Sequence, residues 1–329
     1  MFGYLIRRLL ISIPLLVGIL CLSFVMLKLA PGEPTIVQQD LQARATGAQR
    51  ETLRQLYGLD KPIYEQFGRW LWRVARLDFG RSYSPDGRPV LDKIAERLPI
   101  TLGLNLLETF IVFAVAVPLG ILSATRQYSL FDKTMTVFVF LGFATPDFWL
   151  ALLLMILFGV QLGWLPISGL RSLNFEYLPF WAQIWDIVSH LILPILVATV
   201  GGLAGLSRYM RGSMLEVIRQ DYMRTARAKG LPESTVVYKH GVRNAILPVV
   251  TLLGLMLPGL LGGSVIIETV FGIPGMGQLF FQSAFSRDEP VLMALIVIGA
   301  SLSLLGNILA DVSYALVDPR IRVSARREA

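Results

Sequence analysis

The chain has 329 residues and a net charge of +7, and it is 54% hydrophobic but only 16% charged. Soluble globular domains carry about 25% charged residues, so the depletion excludes an ordinary water-exposed surface and points to lipid. The single cysteine, Cys21, excludes an internal disulfide, and the two histidines, His190 and His240, are too few for a histidine-based metal site.

Six apolar runs each come near the roughly 20 residues a helix needs to cross hydrocarbon: Leu9–Leu29, Ile100–Ala124, Thr134–Val160, Ile187–Ser207, Ala245–Ile267 and Val291–Val317. The first is too long for the apolar region of a signal peptide, and Leu27-Lys28-Leu29-Ala30-Pro31 lacks a small residue at the first cleavage-site position. It reads as an anchor, residues 1–30. The predicted fold is therefore an all-α membrane protein with six transmembrane helices.

Between the first two runs, residues 31–99 read as a structured extracytoplasmic segment. Pro62 suits a helix start, and Phe67, Trp70, Leu71, Val74 and Leu77 then recur at helical spacing. Two readings stay open for this helix: an amphipathic element on the bilayer or neighbouring loops, or a docking surface for an external partner. The segment carries eleven cations, which does not disturb orientation, because loops beyond about 60 residues largely escape the positive-inside rule.

Residues 100–317 read as a five-helix core, followed by a tail at 318–329. Arg7, Arg8, Arg126, Lys133 and the cations of 208–244 and the tail gather on one side. The short loops opposite hold only Arg171 and Arg287, so both termini are expected in the cytoplasm.

Within the third run, Asp147 follows Ala144-Thr145-Pro146. A carboxylate at the bilayer centre costs a few kcal/mol even on insertion scales. Pro146 should break the helix and leave Asp147 in the first turn of its second half, where the helix dipole partly stabilises the charge. That structural role and a place lining a polar path through the bundle, since intramembrane acids tend to face cavities, both stay open. Glu108, in the second run, is a weaker path candidate. Gly201/Gly205 and Gly259/Gly263 are small-xxx-small pairs, for which simple helix packing is the first reading. The sharper one is a moving gate closed by Met256 and Leu257. His190 is expected to be solvated near a membrane surface.

The stretch DYMRTARAKGLPESTVVYKHGVRNAILPVV lies between the fourth and fifth runs. Residues 208–244 hold eight cations against Glu216, Asp221 and Glu233. Gly230 suits a helix C-terminus and Pro232 the start of another helix, so the loop reads as helix, sharp turn, helix. A positive-inside loop near anionic lipid is the plain alternative. Nucleic acid is excluded as a partner, because no aromatic stacking platform or basic recognition stripe accompanies the cations.

DYMRTARAKG followed by KHGVRNAILPVV resembles the cytoplasmic loop of ABC-type importer permeases, and more narrowly that of the dipeptide/oligopeptide/nickel transport family. Four further stretches share the resemblance in order: YLIRRLLISIPLLVGILCLSFVMLKLAPGEP, YGLDKPIYEQFGRWLWRVARLDFGRSY, ETVFGIPGMGQLFFQSAFSRDEP and VDPRIR. The resemblance implies a type I importer permease-like bundle in a prokaryotic inner membrane. It also implies a homologous second permease subunit, two ATPase subunits or domains, and an external substrate-binding protein. In that family the loop forms a coupling helix that docks on the ATPase. Carried over, Arg224, Thr225 and Ala226 stand where the wider superfamily often has Glu-Ala-Ala, and the docking stretch continues through Arg227, Ala228, Lys229, Gly230 and Leu231. The wider pattern's Leu-Pro is displaced here to Leu247-Pro248.

The chain holds no GxxxxGK[ST], HExxH or GxSxG, which weakens enzyme readings, and the resemblance implies a transport subunit rather than an enzyme. No cofactor is expected on it, and ATP and Mg are assigned to the partner subunits. Di- or oligopeptides are the first expected substrates, with nickel chelates, glutathione and oligosaccharides as alternatives. An ATP-independent channel or secondary transporter is the rival of a different class.

Overall fold

A computed structural model describes residues 2–29, 61–256, 259–260 and 262–317. Four helices among them are long and apolar enough to cross a membrane, or five if one sharply bent pair counts as a single span. No strand occurs among the described residues beyond one isolated bridge, Arg81 to Pro89. The chain divides into two compact units. The first comprises Met1–Thr101, Leu261–Val265 and Gly275–Ile308, and the second Leu102–Leu260, Ile266–Pro274 and Leu309–Ala329.

In the first unit, α1 (Phe2–Leu29) is followed, among the described residues, by the short amphipathic α2 (Ile63–Ala75), with Pro62 as its N-cap. Phe67, Trp70, Leu71 and Val74 turn inward, and Phe24 of α1 meets Phe67 and Trp70 at ring-centroid distances of 5.4 and 5.8 Å. Each such aromatic pair adds about 0.5–1.5 kcal/mol beyond area burial. Leu77 is not part of this stripe: it lies past the helix end with φ 59° and is exposed. The start of α3 (Val90–Thr125) packs through Val90 and Ile94 into the same core as Leu20, Met276, Leu279 and Val291. The last two helices are α10 (Met276–Ser286) and α11 (Glu289–Val317).

A polar knot fixes the loop after α2. Buried Asp288 accepts hydrogen bonds from the Ser82 hydroxyl and the Tyr83 N–H, and Lys93 reaches Asp86 at 2.8 Å. The Lys93 ammonium, helped by the Ser84 hydroxyl, pulls the Asp86 carboxyl down to about 2. A carboxyl lowered in the fold stabilises it above its unfolded value of 3.8 and loses that contribution as pH falls toward 2. Lys93→Met should therefore lower the melting temperature by a constant amount from pH 7 to pH 5. The difference from the parent should shrink below about pH 4. Melting curves of both proteins across that range check this, and a pH-independent difference would contradict the assigned ion pair.

In the second unit, the rest of α3 packs with α4 (Leu130–Ala144), α5 (Asp147–Leu154) and the 39-residue α6 (Phe180–Ile218). A π-helical turn, Met155–Gln161, extends α5. The expected third span is thus two helices, bent by 102° at Thr145-Pro146. Helices α3, α4 and α6 approach closely where side chains are absent. A Cβ on Gly120 would lie 2.7 Å from the Ser207 carbonyl, and one on Gly202 would lie 2.9 Å from Val112. Gly142 opposes Val200 and Ala204 in the same way. Close packing is thus served by these three glycines, whereas a Cβ on Gly205 would meet only Phe143 at 3.6 Å and one on Gly201 nothing within 4 Å.

The expected fifth span, Ala245–Ile267, is not one continuous helix. It comprises α8 (Leu247–Met256), and then α9 (Val265–Val270) after a break that includes Gly263 at φ 68°. The Gly259/Gly263 pair therefore does not lie on one helical face. His190 is also not solvated: it is buried on α6, with Nδ1 2.7 Å from the Asp186 carbonyl oxygen.

Candidate functional site

The basic loop begins where α6 ends. Ile218 closes α6, and α7 (Asp221–Ala228) starts after Arg219 and Gln220. α7 has two faces. Met223 and Ala226 are buried against Val236, with Val217 alongside. Arg224, Thr225, Arg227, Ala228, Lys229, Gly230 and Leu231 are exposed. Seven of the eight residues expected at the docking surface are thus available to a partner, and Ala226 instead anchors the helix from beneath.

The turn after α7 is built on Gly230. Lys229 caps the helix, the Gly230 N–H donates to the Arg227 carbonyl at 2.9 Å, and Gly230 has φ +72°. A Cβ there would meet nothing within 4 Å, so the backbone, not crowding, demands glycine. Pro232 then accepts from the Val236 N–H, leading into a π-helical segment, Thr235–Val242. Arg227 clasps Glu233 across the turn through two hydrogen bonds of 2.9 and 3.2 Å. That guanidinium holds the Glu233 carboxyl below its ordinary range, so the clasp is intact at neutral pH. The pair is exposed and contributes little to stability, about 0–1 kcal/mol; its role is to fix the turn's shape. Beside it lies a cavity of about 240 Å³, lined by Thr125, Gln127, Ile218, Arg219, Arg227 and Glu233.

One joint ties this loop to the helix bundle. Arg211, two turns before the end of α6, donates Nε and Nη2 to both carboxylate oxygens of Asp132 at 2.7 and 2.8 Å. Asp132 also accepts from the Ser123 hydroxyl and the Tyr128 N–H. Its side chain is 4% exposed. One buried carboxylate thus joins the end of α3, the start of α4 and the end of α6. Asp132 and Arg211 are 79 positions apart, and nothing in local spacing marks them as partners.

At the other end of α4 the chain bends, and Asp147 opens α5 as expected, with Pro146 as N-cap. Asp147 is exposed, and its carboxylate lies close enough to Glu108 of α3 for the two to repel. The fold therefore brings together two acids that the sequence offered separately. One turn before Glu108, Asn105 donates to the Leu260 carbonyl at 2.6 Å, tying this face of α3 to the segment after α8. Met256 ends α8 and is exposed. Leu257 lies outside the described residues. Among the described residues there is no cluster of metal-ligating side chains.

Comparison with known proteins supplies the wider context. Residues 1–105 match the N-terminal region, and residues 116–323 the main region, of a family of binding-protein-dependent transport system inner membrane components. The oligopeptide transport system permease protein AppB of Bacillus subtilis is 48% identical over 98% of this chain and 99% of its own length. OppB of Haemophilus influenzae is 34% identical over 98% and 100%. A putative peptide permease of Brucella suis is 41% identical over the same shares. In fold, the chain is similar to one from the inward-facing MetNI methionine ABC transporter. The TM-score is 0.54 at 20% identity, covering 69% of this chain and 97% of that one. The chain belongs to the family of binding-protein-dependent transport system inner membrane components.

Proposed function

We propose that the chain is the transmembrane permease subunit of an ATP-driven importer, forming half of the path through which peptides enter the cell. The observation that carries this reading is full-length similarity to oligopeptide permease proteins, at up to 48% identity among those compared. In this reading residues 1–30 are an anchor, 31–99 an extracytoplasmic segment, 100–317 the six-span protein's five-helix core and 318–329 a cytoplasmic tail. Both termini and the 208–244 loop face the cytoplasm. The partners are a homologous permease subunit, two ATPase subunits that bind ATP and Mg, and an external binding protein that delivers the peptide.

Mechanically, the exposed face of α7 sits on an ATPase subunit. When the ATPases close, α7 moves, and α6 carries the motion because it is continuous from Phe180 to Ile218. The Asp132–Arg211 joint and the close glycine contacts pass it to α4 and α3. Those two helices lead to the bend at Pro146 and to the Asp147/Glu108 pair, which lines the path and receives a cationic group such as a peptide amino terminus.

Asp147→Asn keeps size and removes charge. It should leave assembly intact, since desolvating an ion is the costly part, and reduce uptake of a cationic peptide more than that of a matched anionic one. Uptake of such a pair by reconstituted complexes is the measurement. Equal uptake of both at the parental level would reduce Asp147 to a helix-start residue.

A further inference from the structure

The outward face of α2 is used by nothing described so far. Its inner face is filled by Phe24 and the core beneath it, yet Tyr64, Gly68, Trp72 and Arg76 stand in line at four-residue spacing on the opposite side, all exposed. Trp72 is 62% and Tyr64 79% exposed, and Ile63 beside them is 47% exposed. The flanking charges are already satisfied: Arg69 pairs with Glu65 at 2.7 Å and Arg73 with Asp78 at 3.0 Å. Among the described residues Arg76 has no carboxylate partner, and its guanidinium lies 4.6 Å from the centre of the Trp72 ring.

The depth of this face follows from α1. The apolar run of α1 ends at Leu29, and Lys28 is paired with Glu289 at 2.7 Å. That ion pair marks where the helix leaves hydrocarbon. α2 crosses α1 at Phe24, four residues earlier, which is about 6 Å along the helix axis. That places Phe24 on the hydrocarbon side of the ion pair, and amphipathic interfacial helices bury their apolar face about 5–10 Å into the headgroup/acyl boundary, so α2 lies at that boundary. At the same level α1 exposes Leu22, Val25 and Met26. Tryptophan and tyrosine settle at this level because their rings are apolar and their N–H and O–H groups need water or headgroups.

We propose that α2 is an interfacial helix whose Tyr64–Gly68–Trp72–Arg76 face binds phospholipid, with Arg76 on the headgroup phosphate and Trp72 on the glycerol and upper acyl region. Arginine suits that contact because its planar fork pairs with two phosphate oxygens, and stacking on Trp72 holds the fork in place. The interface thereby fixes the level of the first unit in the bilayer. The leaflet is the outer one, which rests on the orientation given under the proposed function; the binding itself does not.

The test uses the full complex in phospholipid nanodiscs, with Cys21→Ser and a nitroxide label at Gly68→Cys, where a Cβ meets no neighbour within 4 Å. The exposed Pro85 in the loop after α2, changed to Cys, is the aqueous control. The label at 68 should collide with oxygen relative to a water-soluble nickel chelate several-fold more often than the label at 85. Arg76→Gln in the otherwise native complex should lower the phospholipid retained through detergent purification, read by native mass spectrometry. A label at 68 as aqueous as that at 85 overturns the proposal. So does protection at 68 that arises only when the external binding protein is added, which would make the occupant a protein. Unchanged lipid retention in Arg76→Gln overturns the phosphate contact. Reaction of Pro85→Cys with an impermeant reagent in intact cells reads the side of the membrane separately, so failed orientation and failed lipid binding are told apart.

Discussion

Asp132→Ala is expected to lower the stability of the assembled permease by about 3–5 kcal/mol, the usual cost of removing one partner from a buried pair. The carboxylate satisfies Arg211 in two places, the Ser123 hydroxyl and the Tyr128 N–H. Its loss strands a guanidinium and two neutral donors at a site that is nearly closed to water. Arg211→Ala should cost a similar amount, because it leaves the carboxylate uncompensated. The double variant should cost clearly less than the sum, since neither charge is then left alone. Thermal unfolding of the three variants in one detergent measures this. Transport adds a second readout: variants that still assemble should hydrolyse ATP while importing less substrate per ATP, because the joint between α6 and α4 has been cut. Additive stability losses with an unchanged import-to-hydrolysis ratio would remove Asp132–Arg211 from the coupling route.

Gly230→Val is expected to abolish coupled uptake while the helix bundle still assembles. A left-handed backbone costs a residue with a side chain about 1–2 kcal/mol, and a β-branched residue more. The turn would relax to negative φ and carry Arg227 away from Glu233, re-aiming the exposed face of α7. Because open space surrounds the missing Cβ, severity should follow tolerance of that backbone rather than size. Asparagine, which visits the left-handed region readily, should be mildest, alanine intermediate and valine worst. ATP-dependent uptake and ATPase retention across this series are the measurements. A ranking by volume, with alanine milder than asparagine, would mean that the partner's close approach and not the turn sets the requirement.

Much of this was legible in the sequence, for identifiable reasons. Hydrophobic runs marked the four long apolar helices and the bent pair, and cation clustering marked the basic loop. Gly230, Pro232 and Pro146 marked breaks because their backbone chemistry leaves few alternatives. Hydropathy measures the thickness of hydrocarbon, not the length of a helix. That is why α3 begins at Val90 rather than Ile100, and α6 runs from Phe180 to Ile218, well past both ends of the expected span. The run around Leu257-Pro258-Gly259 read as one span because its residues are apolar. Glycine governs the backbone in a way hydropathy does not register: Gly263 takes φ 68° between α8 and α9.

The joint at Asp132 was invisible for another reason. In FDK it is a polar residue at a helix start, where Ser129 also caps the first turn, and only the packing of α6 on α4 delivers Arg211 to it. The nearness of Glu108 and Asp147 was hidden in the same way. Each stood out as an acid in an apolar run, but their pairing depends on how α3 meets the bend at Pro146. His190 misled because a histidine near the end of a span suggests solvation, whereas the preceding turn of α6 supplies the Asp186 carbonyl as its partner.

The central claim is that this chain moves peptides only as one part of an ATP-driven assembly. The direct measurement is uptake of labelled oligopeptide into proteoliposomes containing the chain, its partner permease and the ATPase subunits, with the external binding protein added. Uptake should require ATP and the binding protein together, and should cease when the ATPase subunits are omitted. Uptake that persists without ATP or without the ATPases would contradict the account and make the chain a channel or an ion-coupled transporter.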